Sequence, residues 1–283
     1  MNRYTVYCLF SSECGNVFDH VGRCLRRYAE RKGRGYPDWA MRYVPIAREL
    51  SSFFKRPMRT PRRVLEVGAN ACGLARFYSG PVIAVNRSME EVSSLRALPH
   101  VSVVVAEAAH LPFLPETFDA VVCVDTLEHI PASERDAALR EMANMVSRCG
   151  LACFAFPSGE SAQEAEKAIQ RAYLSFSGQT LLWFEEHEQF GLPNTAAIVE
   201  SIRGTARSHF VIQTRQNSPI WLWKWVWKIL LCGWPGRGNS LFQALLTFFA
   251  PVLAGVPFGK GYRTEVWLIS SFVSDKPKSC QSD

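Results

Sequence analysis

One ten-residue stretch carries the fold signature of this chain: Val64-Leu65-Glu66-Val67-Gly68-Ala69-Asn70-Ala71-Cys72-Gly73. An apolar strand precedes Gly68, and a helical pattern follows Gly73. Gly68 allows a sharp turn and a close approach of a ligand to the backbone. Asn70 stands where a second glycine is usual, and Asn tolerates the left-handed conformation better than most residues. The stretch predicts a strand–loop–helix unit with a ligand at the loop.

Glu66 distinguishes this loop from a dinucleotide-binding loop. In dinucleotide-binding domains the characteristic acid lies near the end of the second strand, and the position equivalent to Glu66 holds an apolar residue. A carboxylate two residues before the loop glycine is costly to bury unless hydrogen bonds compensate it. We therefore expect Glu66 to accept hydrogen bonds from a cationic ligand near the loop.

Short apolar runs alternate with helical patterns on both sides of this loop. Strands are predicted at 63–67, 82–85, 101–106, 118–124, 151–156, 208–214 and 262–272, and helices at 73–78, 89–98 and 133–146, the last capped by Ser133. Strands that alternate with helices predict a parallel sheet covered on both faces. Ligands of such sheets bind at the carboxyl ends of the strands.

Four motifs follow one another between residues 62 and 156. The loop at 66–73 is followed by Ala106-Glu107-Ala108-Ala109-His110-Leu111-Pro112-Phe113, Phe118-Asp119-Ala120-Val121-Val122 and Leu127-Glu128-His129-Ile130. In this order and spacing they resemble the class I S-adenosylmethionine-dependent methyltransferases, within them the type-11 group. The resemblance implies a Rossmann-like α/β fold, with a mostly parallel seven-stranded sheet and helices on both faces.

The resemblance also implies S-adenosylmethionine as the cofactor and assigns its contacts. At the methionine end these contacts are Glu66 and the backbone of Gly68, Ala69 and Asn70, with Gly73 at the end of the loop. At the adenine they are Glu107 and Ala108, and beside the sulfonium they are Val124 and Asp125. Carboxylates and carbonyl oxygens at strand ends suit a cationic methyl donor electrostatically.

One position departs from the family pattern. The second strand ends in Asn86, where the family has an acid that holds the ribose hydroxyls. Asn accepts only through its carbonyl oxygen, and charged acceptors form stronger hydrogen bonds. We expect Asn86 to contact the ribose and to bind the cofactor more weakly than an acid at this position would.

Candidate bases follow the fourth and fifth predicted strands. Methyl transfer needs a base only where the nucleophile carries a proton that must leave. Glu128 and His129 follow strand four, and either could act as a base or only shape the loop. His187 lies in Glu185-Glu186-His187-Glu188, which can be a substrate contact or a helix start with solvated acids. We predict no metal site, because one His with Glu is a thin ligand set.

Charge and cysteine content constrain the partners and the compartment. The chain has a net charge of +6, yet residues 21–63 alone hold thirteen Lys and Arg against three acids. This segment is either a solvated helical face or a site for an anionic partner such as a phosphate or a lipid headgroup. The nine cysteines show no zinc or disulfide spacing, which favours reduced thiols and a cytoplasmic protein.

The C-terminal third contains an apolar block rich in tryptophan. Residues 221–234 and the uncharged run 241–258 lie between the last two predicted strands. Because the chain must return to the sheet, we interpret 216–260 as a helical insertion rather than a membrane span. It is either a cap over the active site or a membrane-surface contact through snorkelling lysines and indoles, which would make the protein peripheral at the inner face of a membrane.

Together these observations predict the domain plan and the function. Residues 1–60 form a basic helical extension, 61–273 the methyltransferase domain with its insertion, and 274–283 a flexible tail. The expected activity is methyl transfer to a small-molecule or lipid-linked acceptor at oxygen. The alternatives are a catalytically silent module that binds a membrane or partner through the insertion, and an NAD-dependent oxidoreductase. Nucleic acid is a weaker option, because no base-flipping motif follows strand four, and the oligomeric state is open.

Overall fold

The computed structural model describes residues 39–55, 62–71, 73–205, 209–228 and 260–271. Its centre is a sheet of seven strands in the order β3-β2-β1-β4-β5-β7-β6. The strands are β1 (Val64–Val67), β2 (Val82–Asn86), β3 (Val101–Val105), β4 (Phe118–Val124), β5 (Val146–Pro157), β6 (Phe210–Pro219) and β7 (Gly261–Ser270). Strands β1 to β5 pair in parallel, and β7 runs antiparallel to both of its neighbours. The predicted mostly parallel α/β sheet is confirmed.

Seven α-helices flank the sheet within the described residues. They are α1 (Trp39–Phe53), α2 (Met89–Val92), α3 (Ala132–Asn144), α4 (Glu160–Ser177), α5 (Leu182–Phe190), α6 (Thr195–Thr205) and α7 (Ile220–Lys228). Helix α1 packs into the core on one face of the sheet, whereas α3 and α6 pack on the other face. Neighbouring residues of β1 point into opposite cores, Val64 into the first and Leu65 into the second. This double burial explains why the strands are continuously apolar.

A third apolar cluster joins α4, α5 and α7 to the start of β7. The ring centroid of Phe184 lies 6.2 Å from that of Trp223 and 5.8 Å from that of Trp227. The ring of Trp223 stacks on that of Tyr262, with centroids 3.8 Å apart. The tryptophan-rich segment therefore begins as a helix that packs against the site-bearing helix α5.

Several element boundaries differ from the sequence prediction. The helix predicted at 73–78 is only a 3₁₀ turn, Leu74–Arg76, and the one at 89–98 is α2 followed by a 3₁₀ segment, Ser93–Ala97. Ser133 does not cap α3: the helix begins one residue earlier, after Pro131, whose φ of −51° is fixed by its ring. Strand β5 begins at Val146 rather than at 151, because Phe118 pairs with Val146 before a bulge.

The described residues cover the predicted extension and insertion only in part. Residues 1–38, the run 229–259 and the tail 274–283 lie outside them. Within the proposed insertion, 216–219 complete β6 and 220–228 form α7. Among the helices that the structure describes, none combines the length and the apolar character needed to cross a membrane.

Of the three cysteines that the structure describes, Cys149 departs from the expectation of reduced thiols. Cys123 and Cys153 are buried free thiols on β4 and β5. Cys149 is disulfide-bonded, and the spacing of cysteines along the chain contained no signal for that bond.

Candidate active site at the carboxyl ends of the parallel strands

A cavity of about 690 Å³ opens where the parallel strands end. The loops after β1, β2, β3 and β4 form one side of it, through Gly68, Asn86, Glu107 and Asp125. Helix α5 closes the other side, with His187 on the wall. The volume falls within the range of small-molecule sites in proteins.

The loop after β1 turns at Gly68, whose φ is +76°. A Cβ at this position would collide with the side chain of Thr126, from the loop after β4. Two independent reasons therefore require glycine at position 68: the positive φ and the lack of room for a Cβ. Asn70 lines the cavity but does not have a positive φ, so the left-handed conformation that its position suggested is not used.

Glu66 lies beneath the loop and does not border the cavity. Its side chain is 1% exposed, and Oε1 accepts a hydrogen bond of 2.7 Å from the backbone N–H of Leu74. No described residue forms a hydrogen bond with Oε2, although the Tyr43 hydroxyl is close enough to act on the pKa of Glu66 by lowering it. Burial dominates and raises the pKa of Glu66 to about 7. A Cβ at Gly73 would collide with this carboxylate, which explains the second loop glycine.

Asn86 holds the same loop from the side of β2. Its Nδ2 donates to the carbonyl of Ala69 at 2.7 Å, and its Oδ1 accepts from the backbone N–H of Ser88 at 2.9 Å. Both ends of the amide are thus engaged with backbone, and the side chain still lines the cavity.

Asp125, directly after β4, binds two arginines. Nη1 of Arg42 lies 2.8 Å from Oδ2, and Nε and Nη2 of Arg263 lie 2.8–2.9 Å from its carboxylate oxygens. Arg263 is 1% exposed, and its guanidinium also lies 4.9 Å from the ring centroid of Tyr262. Asp125 has a φ of +45°, which non-glycine residues rarely adopt. The two guanidiniums hold this strained residue in place.

Glu128 and His129 lie in the 3₁₀ turn Leu127–His129 that follows. Glu128 is 1% exposed, and within the described part of the chain its Oε2 has no hydrogen-bond partner. Burial, and then the negative charge of Asp125, raise the pKa of Glu128 well above its usual range. Burial, and then the neighbouring His187, lower the pKa of His129. Both shifts favour the neutral side chains.

His129 and His187 lie next to each other in the cavity wall, and the Nδ1 atom of each ring contacts a carboxylate. Their Nε2 atoms are 3.4 Å apart. Nδ1 of His129 lies 2.7 Å from Glu186, and Nδ1 of His187 lies 2.9 Å from Glu166. The hydroxyl of Tyr262 donates to Glu166 at 2.5 Å, and burial raises the pKa of Tyr262, helped by the charge of Glu166.

Arg135 fixes the two elements that carry this histidine pair. Its Nε donates to the carbonyls of Leu127, the first residue of the 3₁₀ turn, and of Ile130, directly after the turn, at 2.8 and 2.9 Å. Its Nη2 donates to the carbonyls of Phe190 and Gly191, at the end of α5. One buried side chain on α3 thus ties the turn of His129 to the helix of His187.

A family model described as a methyltransferase domain matches residues 65–154. The match runs from β1 into β5 and includes every loop on the strand side of the cavity. Residues 65–154 are therefore a methyltransferase domain. S-adenosylmethionine is the cofactor of this domain class.

Relatives and solved structures agree with this assignment. Methyltransferase GfsG of Streptomyces halstedii is 27% identical over 159 residues, which are 50% of this chain and 56% of that protein, so the match spans little more than half of the relative. The plantazolicin methyltransferase BamL, solved with SAH, superposes with a TM-score of 0.54 at 12% identity and covers 95% of this chain and 96% of that chain. A possible histamine N-methyltransferase of Thermotoga maritima superposes with a TM-score of 0.51 at 14% identity. The superposition covers 87% of this chain and 98% of that chain. These two structures show the fold.

The residues predicted for the cofactor fall into two groups in the methyltransferase domain. Those that line the cavity are Gly68, Asn70, Asn86, Glu107, Ala108 and Asp125. Those that lie behind its wall are Glu66, Ala69, Gly73 and Val124, of which Glu66 and Gly73 support the loop from within. The candidate bases Glu128, His129 and His187, predicted from two separate motifs, all line the same end of the cavity.

Four residues of the site have no signal in the sequence. Arg42 belongs to the basic segment and is indistinguishable there from a solvated arginine, whereas the structure buries it against Asp125. Tyr262 and Arg263 lie at the start of β7, where the sequence pattern gives neither of them a role, and Glu166 lies within a polar helix pattern. Each is identified only by its partner, which is distant in the chain.

The wall residues fit the methionine end of S-adenosylmethionine. That end carries a sulfonium, an ammonium and a carboxylate, so it needs both carboxylates and a cation. Asp125 and Arg42 both line the cavity and bind each other at 2.8 Å, so the wall beside the strand loops carries charges of both signs.

Proposed function

We propose that this protein transfers the methyl group of S-adenosylmethionine to an oxygen of a small-molecule or lipid-linked acceptor. The observation that carries the proposal is the continuity of the cavity. It joins the glycine loop at one end to the histidine pair at the other, so a methyl donor and an acceptor fit side by side.

The cofactor would occupy the end of the cavity formed by the strand loops. The backbone at Gly68 and the guanidinium of Arg42 would hold the methionine end, and Glu107 would receive hydrogen bonds from the adenine. When bound, S-adenosylmethionine supplies an electrophilic methyl group: the carbon–sulfur bond breaks, its electron pair stays on sulfur, and a carbon–oxygen bond forms. Much of the rate enhancement comes from holding the two reactants in line.

The acceptor would lie against α5. A hydroxyl nucleophile must lose its proton before or during transfer, and His129, His187 and Glu128 are the polar groups grouped at this end. Trp183, Phe184 and Trp227 also line the cavity. Their aromatic surface supports an acceptor with an apolar part.

The lipid-linked class has support from the outer face of α7. Trp221 and Trp225 are 57% and 51% exposed, while Trp223 and Trp227 on the same helix are buried. Indoles on one face beside Lys224 and Lys228 are typical of helices at a membrane surface. Peripheral membrane association, which is part of this proposal, predicts that Trp221→Ser with Trp225→Ser lowers binding to anionic vesicles, whereas Leu114→Ser, at an exposed apolar residue elsewhere, does not.

Calorimetric titration with S-adenosylmethionine and S-adenosylhomocysteine tests the cofactor site. Glu107→Gln should weaken binding about tenfold, because one hydrogen bond to a charged group is lost. Glu164→Gln, at an exposed position on α4, is the matched control. Folded wild-type protein that binds neither compound would contradict the proposal and favour a silent module that contacts a partner through the tryptophan-rich segment.

A further inference from the structure

Three side chains at the acceptor end converge on one point. Glu128, His129 and His187 each present a ligand atom, and these atoms all lie within 4.8 Å of one another. We propose that they form a binding site for a divalent transition metal of the zinc type, open towards the cavity.

The hydrogen bonds of the two histidines determine which ring nitrogens are available. Each Nδ1 faces a carboxylate oxygen, of Glu186 or of Glu166, at 2.7 and 2.9 Å. An ionised carboxylate only accepts hydrogen bonds, so each Nδ1 carries the proton and each neutral ring has its lone pair on Nε2. Two lone pairs then face each other at 3.4 Å, an arrangement that repels unless a cation lies between them.

The separation of the two nitrogens matches a shared metal. Two nitrogens bound to one tetrahedral zinc at about 2.0–2.1 Å lie about 3.4 Å apart. The observed distance between the Nε2 atoms is 3.4 Å. A carboxylate behind each histidine is also the usual support of metal-binding imidazoles, because it fixes the tautomer and raises the basicity of the ligand.

Glu128 provides an independent third observation. It is 1% exposed, and its Oε2 has no hydrogen-bond partner among the described residues. A buried carboxylate oxygen without a partner is costly, and a metal beside the two imidazoles would compensate it. Two His and one Glu are a known ligand set of open zinc sites, in which a fourth position takes water or substrate.

The ligand types select the metal class. Imidazole suits zinc, copper, iron and nickel, whereas magnesium and calcium prefer oxygen ligands alone. The role of the metal rests on the proposed function: a hydroxyl of the acceptor in the open position would release its proton to water more readily. Its oxygen electron pair would then form the bond to the methyl carbon. Metal binding itself does not depend on that role.

Metal binding is tested directly on the untagged full chain after dialysis against a chelator. Titration with ZnCl₂ should give one equivalent by calorimetry and by elemental analysis of the protein. Titration with CoCl₂ should give the intense visible spectrum of a four-coordinate site. MgCl₂ should bind at least 100-fold more weakly than zinc.

Two histidine variants and a matched control locate the site. His129→Gln and His187→Gln should each weaken zinc binding at least 100-fold, and Glu166→Gln should weaken it about 10- to 100-fold through the supporting hydrogen bond. His110→Gln, at an exposed histidine of the same cavity, should bind zinc like the wild type. His129 has a side chain 32% exposed, so its variant should keep the circular dichroism spectrum of the wild type even if His187→Gln does not fold.

The outcomes separate the metal site from the proposed function. Zinc binding that needs both histidines, in a protein without methyl transfer, would uphold the site and count against the function. Folded wild-type protein that takes up no zinc would overturn the site, as would binding that both histidine variants retain. Full methyl transfer by chelated protein that also binds no zinc would indicate that the two rings share a proton instead.

Discussion

Arg263 holds the carboxylate of Asp125 from 138 residues away. Its Nε lies 2.9 Å from Oδ1 and 2.8 Å from Oδ2, and its Nη2 lies 2.8 Å from Oδ2. Because Arg42 binds the same carboxylate at 2.8 Å, the first helix and the last strand are both tied to the loop after β4. The loop that faces the expected methyl donor thus owes its conformation to two distant parts of the chain.

Arg263→Met should destabilise the protein by about 2 kcal/mol, since it removes buried hydrogen bonds to a charged group while Arg42 still compensates the carboxylate of Asp125. Arg203→Met, which breaks the exposed pair with Glu200, should change the free energy of unfolding by less than about 1 kcal/mol. Urea denaturation of both variants measures the difference. Equal decreases in the free energy of unfolding would show that the buried pair contributes no more to stability than the exposed pair.

Gly68→Ala should be more harmful than the same change at Gly159. Both glycines have a positive φ, of +76° and +79°, so each substitution costs about 1–3 kcal/mol in backbone strain. At Gly68 the new Cβ meets the side chain of Thr126, whereas around Gly159 no described residue lies within 4 Å.

Thermal unfolding and S-adenosylhomocysteine titration distinguish the two glycine variants. Gly159→Ala should lose stability but keep its ligand affinity, and Gly68→Ala should lose both. Adding Thr126→Gly to Gly68→Ala should recover part of the loss. No recovery would mean that the collision is not the cause.

Glu66 should make the protein less stable as the pH rises. Its pKa is raised from 4.5 to about 7, so the folded state holds this proton more tightly than the unfolded state does. The stabilisation is full below pH 4.5 and is lost as the pH rises through 7, by about 3 kcal/mol in total.

Glu66→Gln removes this titration and can keep the hydrogen bond from Leu74. The difference in free energy of unfolding between wild type and variant should therefore shift by about 3 kcal/mol in favour of the variant between pH 4.5 and 8. Urea denaturation across this range is the measurement, with the exposed Glu200→Gln as control. A difference that is constant with pH would contradict a raised pKa.

Asn86→Asp should not improve cofactor binding, although an acid is usual at this position. Aspartate can still accept from the N–H of Ser88, but it cannot donate to the carbonyl of Ala69 as Asn86 does. We expect a loss of about 1–3 kcal/mol of stability, because a backbone carbonyl loses its partner and faces a negative charge.

Asn194→Asp is the matched control for this change. Asn194 only accepts, from the N–H groups of Ala196 and Ala197 at the start of α6, and a carboxylate serves there at least as well. Chemical denaturation and S-adenosylmethionine titration compare the two variants. Tighter cofactor binding by Asn86→Asp would show that the ribose contact outweighs the support of the loop.

The sequence predicted the parts of the molecule that depend on local pattern. The first strand, its loop at Gly68 and the alternation of strands and helices follow from residue spacing over short stretches, so they were readable without a structure. The boundaries at 73–78 and 89–98 were wrong, since packing shortened or divided helices that the pattern alone extended. The motifs also located both histidines, but as separate candidates with no reason to meet.

The contacts that define the candidate site are set by packing over long chain distances. His129 and His187 are 58 residues apart in sequence and meet because Arg135 ties the turn after β4 to the end of α5. Asp125 is held by arginines from α1 and β7, which no periodicity links to it. Local spacing specifies which element forms and which face it buries, whereas the partner of a buried charge depends on which elements the folded chain brings together.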